Sequence, residues 1–169
     1  MIAKNLRIFI TGKPGSGKTT LVMKLKSLLD EKYVSVTGFY TEETRGRKGR
    51  TGFKLTTIPE NENYTLSSIR PPGIPFGKYY VKIEGIDKGI KALKRKANIY
   101  IIDEVGPMEM KHLDFIHIIK EILKSNENII AVIHRNLTNL VENENLYEIT
   151  IENRNKLYKE LKKIIENYI

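Results

Sequence analysis

The stretch Gly12-Lys13-Pro14-Gly15-Ser16-Gly17-Lys18-Thr19 lies between an apolar run, Leu6 to Ile10, and a segment patterned as a helix from Thr20 onward. It meets the phosphate-binding-loop pattern at every specified position, and strand, loop and helix in that order are the context that gives the pattern its meaning. A triphosphate has to be wrapped by backbone N–H groups that converge on it. Gly12, Gly15 and Gly17 let the main chain turn tightly and approach without a Cβ in the way, with Lys13, Pro14 and Ser16 completing the loop. Lys18 offers a flexible cation to the β and γ phosphates. Thr19 places its hydroxyl where a Mg2+ ion bridging those phosphates sits, and Thr20 closes the nucleotide-binding set. The helix that starts here aims its positive dipole end at the same anion.

Around this loop the 169 residues are expected to form one domain, 1–169, long enough to bury a normal core. A hydrophobic share of 40% and a charged share of 29% describe a soluble globular chain. No apolar run reaches the roughly 20 residues a bilayer crossing needs, and the chain passes from Met1 into a strand without a signal-peptide layout. A cytoplasmic monomer without membrane contact is the expectation. The absence of cysteine excludes disulfides, thiolate catalysis and Cys-ligated zinc, and His112, His117 and His134 are too scattered for a zinc site. A net charge of +9 suits either a nucleic-acid partner or a solvated basic surface that attracts nucleotides. The second reading is favoured because the cations are spread along the chain, with local clusters only at Arg45 to Arg50 and Lys91 to Lys96. Abundant Lys, Glu and Ile without Cys also suit a thermophile.

Hydrophobic periodicity supplies the rest of the architecture. Leu6 to Ile10, Ile99 to Ile102 and Ile129 to Ile133 read as fully buried strands, and Leu146 to Ile151 as a last one. Helical spacing joins Leu21, Val22, Leu25, Leu28 and Leu29, then Ile86, Ile90, Leu93 and Ala97. It joins Leu113, Ile116, Ile119 and Leu123 on one inner side, and Leu157, Leu161, Ile164, Ile165 and Tyr168 in a closing helix. A strand from Val34 through Phe39 runs into the polar stretch Thr41 to Arg50, whose end is patterned as an exposed turn. Phe53, Leu55 and Thr57, and later Tyr79, Val81 and Ile83, alternate as antiparallel strands do. Residues 58–78, with Pro59, Pro71, Pro72 and Pro75, read as a long ordered loop. The sum is an α/β fold with a mostly parallel sheet covered by helices on both faces and antiparallel strands added at one edge by residues 34–83.

In such a sheet, ligands gather at the carboxyl ends of the strands. Ile99 to Ile102 followed by Asp103-Glu104 matches a Walker B element, in which the aspartate holds Mg2+. Glu104 is placed to orient and deprotonate a water for attack on the γ phosphate, which tilts the reaction toward hydrolysis. His134 ends the Ile129 to Ile133 strand, and phosphate sensor and hydrogen-bonded structural histidine stay open for it, as for Arg135. Thr150 to Arg154 opens the last helix where a nucleotide base often rests, and Thr150 or Asn153 also suits a cap. Arg45, Arg47 and Arg50 lie on a Gly-rich tip, better read as a solvated hairpin than as an arginine finger, so turnover is expected to be slow. A nucleotide or nucleoside kinase and a nucleotide-switched nucleic-acid module are the alternatives.

Four strings of this chain resemble one family. They are Thr11 to Thr20, Gly38-Phe39-Tyr40-Thr41-Glu42-Glu43, Ile102-Asp103-Glu104-Val105-Gly106-Pro107-Met108-Glu109 and Thr150-Ile151-Glu152-Asn153-Arg154. The family is that of the small THEP-type nucleoside-triphosphatases of thermophilic archaea and bacteria, which includes the human cancer-related nucleoside-triphosphatase. The resemblance implies a P-loop NTPase fold of the RecA-like group. It also implies hydrolysis of ATP, GTP and other nucleoside triphosphates with Mg2+ and little base preference. By the same resemblance Lys18 and Thr19 meet the phosphates and metal, Asp103 the metal, and Glu104 serves as base. Glu42 and Glu43 belong to the family string without an assigned role.

Overall fold

The computed structural model describes residues 5–169; the start of the chain read from Met1 lies outside the described residues. In chain order the elements are β1 (Arg7–Thr11), α1 (Lys18–Glu31), β2 (Val36–Gly46), β3 (Gly49–Ile58), β4 (Asn63–Ser68), β5 (Ile74–Phe76) and β6 (Tyr79–Val81). There follow α2 (Ile83–Leu93), β7 (Ile99–Val105), α3 (Leu113–Lys124), β8 (Ile129–Ile133), β9 (Leu146–Glu148) and α4 (Arg154–Tyr168). The strands form one sheet in the order β5-β6-β4-β3-β2-β7-β8-β1-β9. From β2 to β9 every pairing is parallel, and from β2 to β5 every pairing is antiparallel. The phosphate-loop strand β1 and the acid-bearing strand β7 are thus separated by β8.

Alternation along the parallel strands divides the core into two layers. Ile8, Ile10, Ile101 and Val132 face α1 and α4, where Leu21, Leu25, Leu29, Leu161 and Ile165 close over them. Phe9, Ile102, Ala131 and Ile133 face α2 and α3, together with Phe39, Ile86, Ile90, Phe115 and Ile119. Phe39 and Phe115 meet with ring centroids 6.1 Å apart, a tilted contact that couples α3 to the middle of the sheet. No helix among the described residues is long and apolar enough to cross a membrane.

Several elements differ from what periodicity predicts. The expected loop 58–78 contains β4 and β5: β4 gains its backbone partners from β3, a long-range pairing with no local signature, and Pro75 sits on the edge strand, where its missing N–H matters least. The polar stretch after Phe39 is strand as far as Gly46, because the β2–β3 hairpin projects beyond the helices and both its faces are partly solvated. In α3 the buried residues are Phe115, Ile118, Ile119 and Ile122, whereas Leu113 is 64% exposed. The His112 cap sets this rotation: Nδ1 accepts from the Asp114 N–H at 3.1 Å and Nε2 donates to the Asp87 carboxylate on α2 at 2.6 Å. Helix α2 ends at Leu93, before Ala97, and β9 ends at Glu148, leaving Ile151 exposed.

The change from parallel to antiparallel pairing happens across one strand. Gly38 of β2 is paired with Ile101 of β7 on one side and Ile58 of β3 on the other. Its φ is +134°, and a Cβ there would stand 1.8 Å from the Ile101 carbonyl oxygen, a main-chain atom in the middle of the sheet. Neither partner strand can retreat without breaking its ladder. Gly38→Ala should therefore lower stability by about 3 kcal/mol or more, a large part of a typical domain's margin, measured as the shift of the urea midpoint.

Candidate active site

The phosphate loop is held closed by its own side chains. Ser16 Oγ donates to the Lys13 carbonyl at 2.7 Å, and Lys18 Nζ donates to the carbonyls of Gly12 and Lys13 at 2.8 and 2.9 Å. These bonds tie the lysine across the loop before α1 begins, so its charge is carried at the mouth of the turn. Half-burial lowers the Lys18 pKa, with Glu104 and then Asp103 opposing the shift. Gly12 has no space for a Cβ, which would lie 2.6 Å from the Ile149 carbonyl oxygen and 2.9 Å from Ser16 Oγ. That close approach brings the segment before α4 against the loop. There Thr150 N–H donates to Asn153 Oδ1 at 2.8 Å and Asn153 N–H to Thr150 Oγ1 at 3.1 Å, so both residues are occupied in a reciprocal turn.

Across the cavity, β7 delivers Asp103 and Glu104 from its carboxyl end. Asp103 is 2% exposed, and its Oδ2 has no hydrogen-bond partner. Burial pushes its pKa up to about 7, against the Thr19 hydroxyl, whose hydrogen bond draws it down. An orphaned buried carboxylate oxygen beside a threonine hydroxyl is the donor set a hydrated Mg2+ accepts when its remaining ligands are water and phosphate. No group of three or more His, Asp or Glu among the described residues is placed to hold a metal without such help. Glu104 is also raised by burial, with His134 and Lys18 acting in the opposite direction. The ring of His134 is fixed, since Nδ1 accepts from the Asn136 N–H at 3.1 Å. The neutral tautomer consequently carries its proton on Nε2, at a residue that borders the cavity.

The cavity measures about 550 Å3, and Gly12, Pro14, Gly15, Lys18, Thr19, Thr20, Asp103 and Glu104 all line it. Lys13, Ser16 and Gly17 shape the loop without reaching the cavity, and the Thr150 to Arg154 segment is not part of its lining. His134 and Arg135 border it, as do Glu42 and Glu43. Of the hairpin arginines only Arg50 is present, held by Glu43 at 2.8 Å and by the Tyr79 hydroxyl at 2.7 Å. Arg45 pairs with the same glutamate at 2.7 Å. Two features escape sequence reasoning. Glu109, 3% exposed, lies across Gly106 from Glu104, and burial followed by that neighbouring carboxylate raises its pKa well above the usual range. Its signal is a glutamate inside the Gly-Pro-Met-Glu-Met string, where nothing local says that it points inward. The other is an apolar wall of Phe53, Leu66, Phe76, Tyr79 and Met108, of which Leu66 and Phe76 come from strands that periodicity leaves as loop.

A carboxylate that titrates near pH 7 when folded and near 4 when unfolded opposes folding progressively as pH rises between those values, and fully above them. Without nucleotide or divalent cation, Asp103→Asn should therefore melt at a higher temperature than the wild type at pH 8. The gap should narrow as pH falls toward 4, as read by calorimetry. A pH-independent gap would remove the buried charge as its cause.

The comparisons with known proteins agree with this geometry. A family model described as NTPase matches residues 7–162. The nucleoside-triphosphatase THEP1 of Methanocaldococcus jannaschii is 45% identical over 161 residues, which cover 92% of this chain and 95% of that protein. The crystal structure of THEP1 from the hyperthermophile Aquifex aeolicus superposes with a TM-score of 0.81 at 30% identity, covering 95% of this chain and 99% of that one. The solution structure of a human cancer-related nucleoside triphosphatase gives 0.78 at 28% identity, with 96% and 98% covered. With the family model spanning nearly all of it, this chain belongs to the NTPase family.

Proposed function

We propose that the protein is a Mg2+-dependent nucleoside-triphosphate phosphohydrolase that converts NTP and water to NDP and phosphate, with broad base tolerance and slow turnover. The observation that carries this reading is the Glu104 carboxylate, half-buried at the end of β7 and lining the same cavity as Lys18 and the phosphate loop. The printed names of the relatives, nucleoside-triphosphatase, support the reaction class.

In this reading the loop amides and Lys18 hold the β and γ phosphates, and the Lys18 ammonium offsets charge that builds toward the leaving diphosphate. Glu104 accepts a hydrogen bond from a water, orients its lone pair toward the γ phosphorus and takes up its proton as the O–P bond forms. Burial makes Glu104 a better proton acceptor than an exposed glutamate. Asp103 and Thr19 would hold Mg2+, which when bound neutralises phosphate charge. The His134 Nε2–H and Arg135 offer the γ-phosphate oxygens further donors. The reading of base tolerance is supported by a lining to which the Thr150 to Arg154 segment, the place expected for the base, contributes no side chain. The reading of slow turnover is supported by the engagement of Arg45 and Arg50 by Glu43.

The test is phosphate release from ATP, GTP, CTP and UTP with Mg2+. Glu104→Gln should keep triphosphate affinity within about threefold while release from all four falls by about 10² or more. Full residual release would take Glu104 out of the mechanism. Lys18→Ala should weaken triphosphate binding by about tenfold or more in equilibrium dialysis, through loss of charge-assisted phosphate contacts.

A further inference from the structure

The cavity lining goes beyond the groups that phosphate chemistry requires. One part is the phosphate loop with Lys18, Asp103 and Glu104, and the other is an apolar half made by Phe53, Leu66, Phe76, Tyr79 and Met108 from β3, β4, β5, β6 and the turn after β7. Residues 149–154, at the expected base position, contribute to neither. Water activation has no use for three aromatic rings. Such a wall expels water and offers flat apolar surface, which is the character of a site for an organic ligand.

The wall is also pre-organised. Phe53 and Tyr79 meet edge to face with centroids 5.8 Å apart, and the Arg50 guanidinium lies 5.2 Å and 5.7 Å from the two ring centres. Arg50 in turn is held by the Tyr79 hydroxyl and by Glu43. Its charge is thereby compensated, and Glu104 and Glu109 add two further carboxyl groups to a lining that also holds Lys18, His134 and Arg135. A ligand that fits is a planar ring bearing hydroxyl or amino groups; an additional phosphate on it would find the Arg50 guanidinium already paired.

We propose that this half of the cavity is an acceptor site for an uncharged ring-bearing alcohol, whose hydroxyl takes the γ-phosphoryl group in place of water. The proposal rests on Glu104 as the base. The acceptor oxygen forms a bond to the γ phosphorus, the bond from that phosphorus to the β,γ-bridging oxygen breaks, and the electron pair leaves with the nucleoside diphosphate. The hydroxyl proton passes to Glu104. Hydrolysis is then the same displacement with water standing where the alcohol would bind.

The experiment supplies γ-labelled ATP and Mg2+ with adenosine, guanosine, cytidine or uridine as probes, and with their 5′-monophosphates as charged counterparts. It reads the ratio of labelled acceptor to labelled inorganic phosphate. Label is expected in at least one ribonucleoside and in none of the monophosphates, with the ratio falling about tenfold in Phe76→Leu, which keeps an apolar side chain but removes the ring. Misfolding would lower both products and leave the ratio unchanged, so a fall in the ratio reports the ring. Label confined to inorganic phosphate with all four ribonucleosides overturns the proposal, as does an unchanged ratio in a Phe76→Leu variant whose total phosphate turnover matches the wild type. Transfer to a ribonucleoside that persists in Glu104→Gln supports the acceptor site and overturns the base assignment instead.

Discussion

Asp103 and Glu104 are carboxylates at the buried end of a sheet, with the Lys18 ammonium across the cavity from them, and that arrangement is what the rest of the structure serves. Isolated buried charge is costly, and burial pushes both carboxylates toward their neutral forms. Local sequence could not hold them there. They stay because β7 is paired with β2 as far as Ile102 and with β8 on both sides of Glu104, at Asp103 and Val105, so the strand end cannot turn outward without breaking the β8 ladder. The orphaned Asp103 Oδ2 is the residue of this compromise, an acceptor with a partner only when something cationic joins the site.

The antiparallel half of the sheet gives that site its second wall. Its attachment depends on Gly38, the residue at which one strand serves a parallel neighbour and an antiparallel one together. From there β2 and β3 carry Glu42, Glu43, Arg50 and Phe53 over the phosphate loop, and β5 and β6 add Phe76 and Tyr79. The Glu43 and Arg50 pair is partly exposed, and its direct contribution to stability is small. Its consequence is positional, because it helps to fix a guanidinium on two aromatic rings.

Much of this was legible before any coordinates. The loop Gly12 to Thr19, the Asp103-Glu104 pair and the apolar runs of β1, β7 and β8 carry their meaning in short windows, since glycine placement, acid pairing and unbroken hydrophobicity are local properties. The antiparallel strands inside 58–78 were hidden because β4 and β5 are short and owe their form to partners distant in sequence. The inner face of α3 was misread by a small rotation, since Leu113 fits the helical period but stands in a first turn whose direction is set by the His112 cap and its contact with α2. The string around Glu109 assigns that residue no task, because a glutamate's burial is decided by what folds over it.

By itself, then, the sequence determined the fold class, the phosphate loop and the identity of the acid pair, all of which follow from residue type and spacing along a continuous stretch. Tertiary structure alone decided that Glu109 is buried beside Glu104, that Arg50 is tethered to Glu43 and Tyr79, and that Phe53, Leu66, Phe76, Tyr79 and Met108 form one wall. These residues come from separate strands and turns, and no local periodicity relates them. Their meeting depends on the sheet order, which is settled by long-range backbone pairing and by the burial of two opposite faces at the same time.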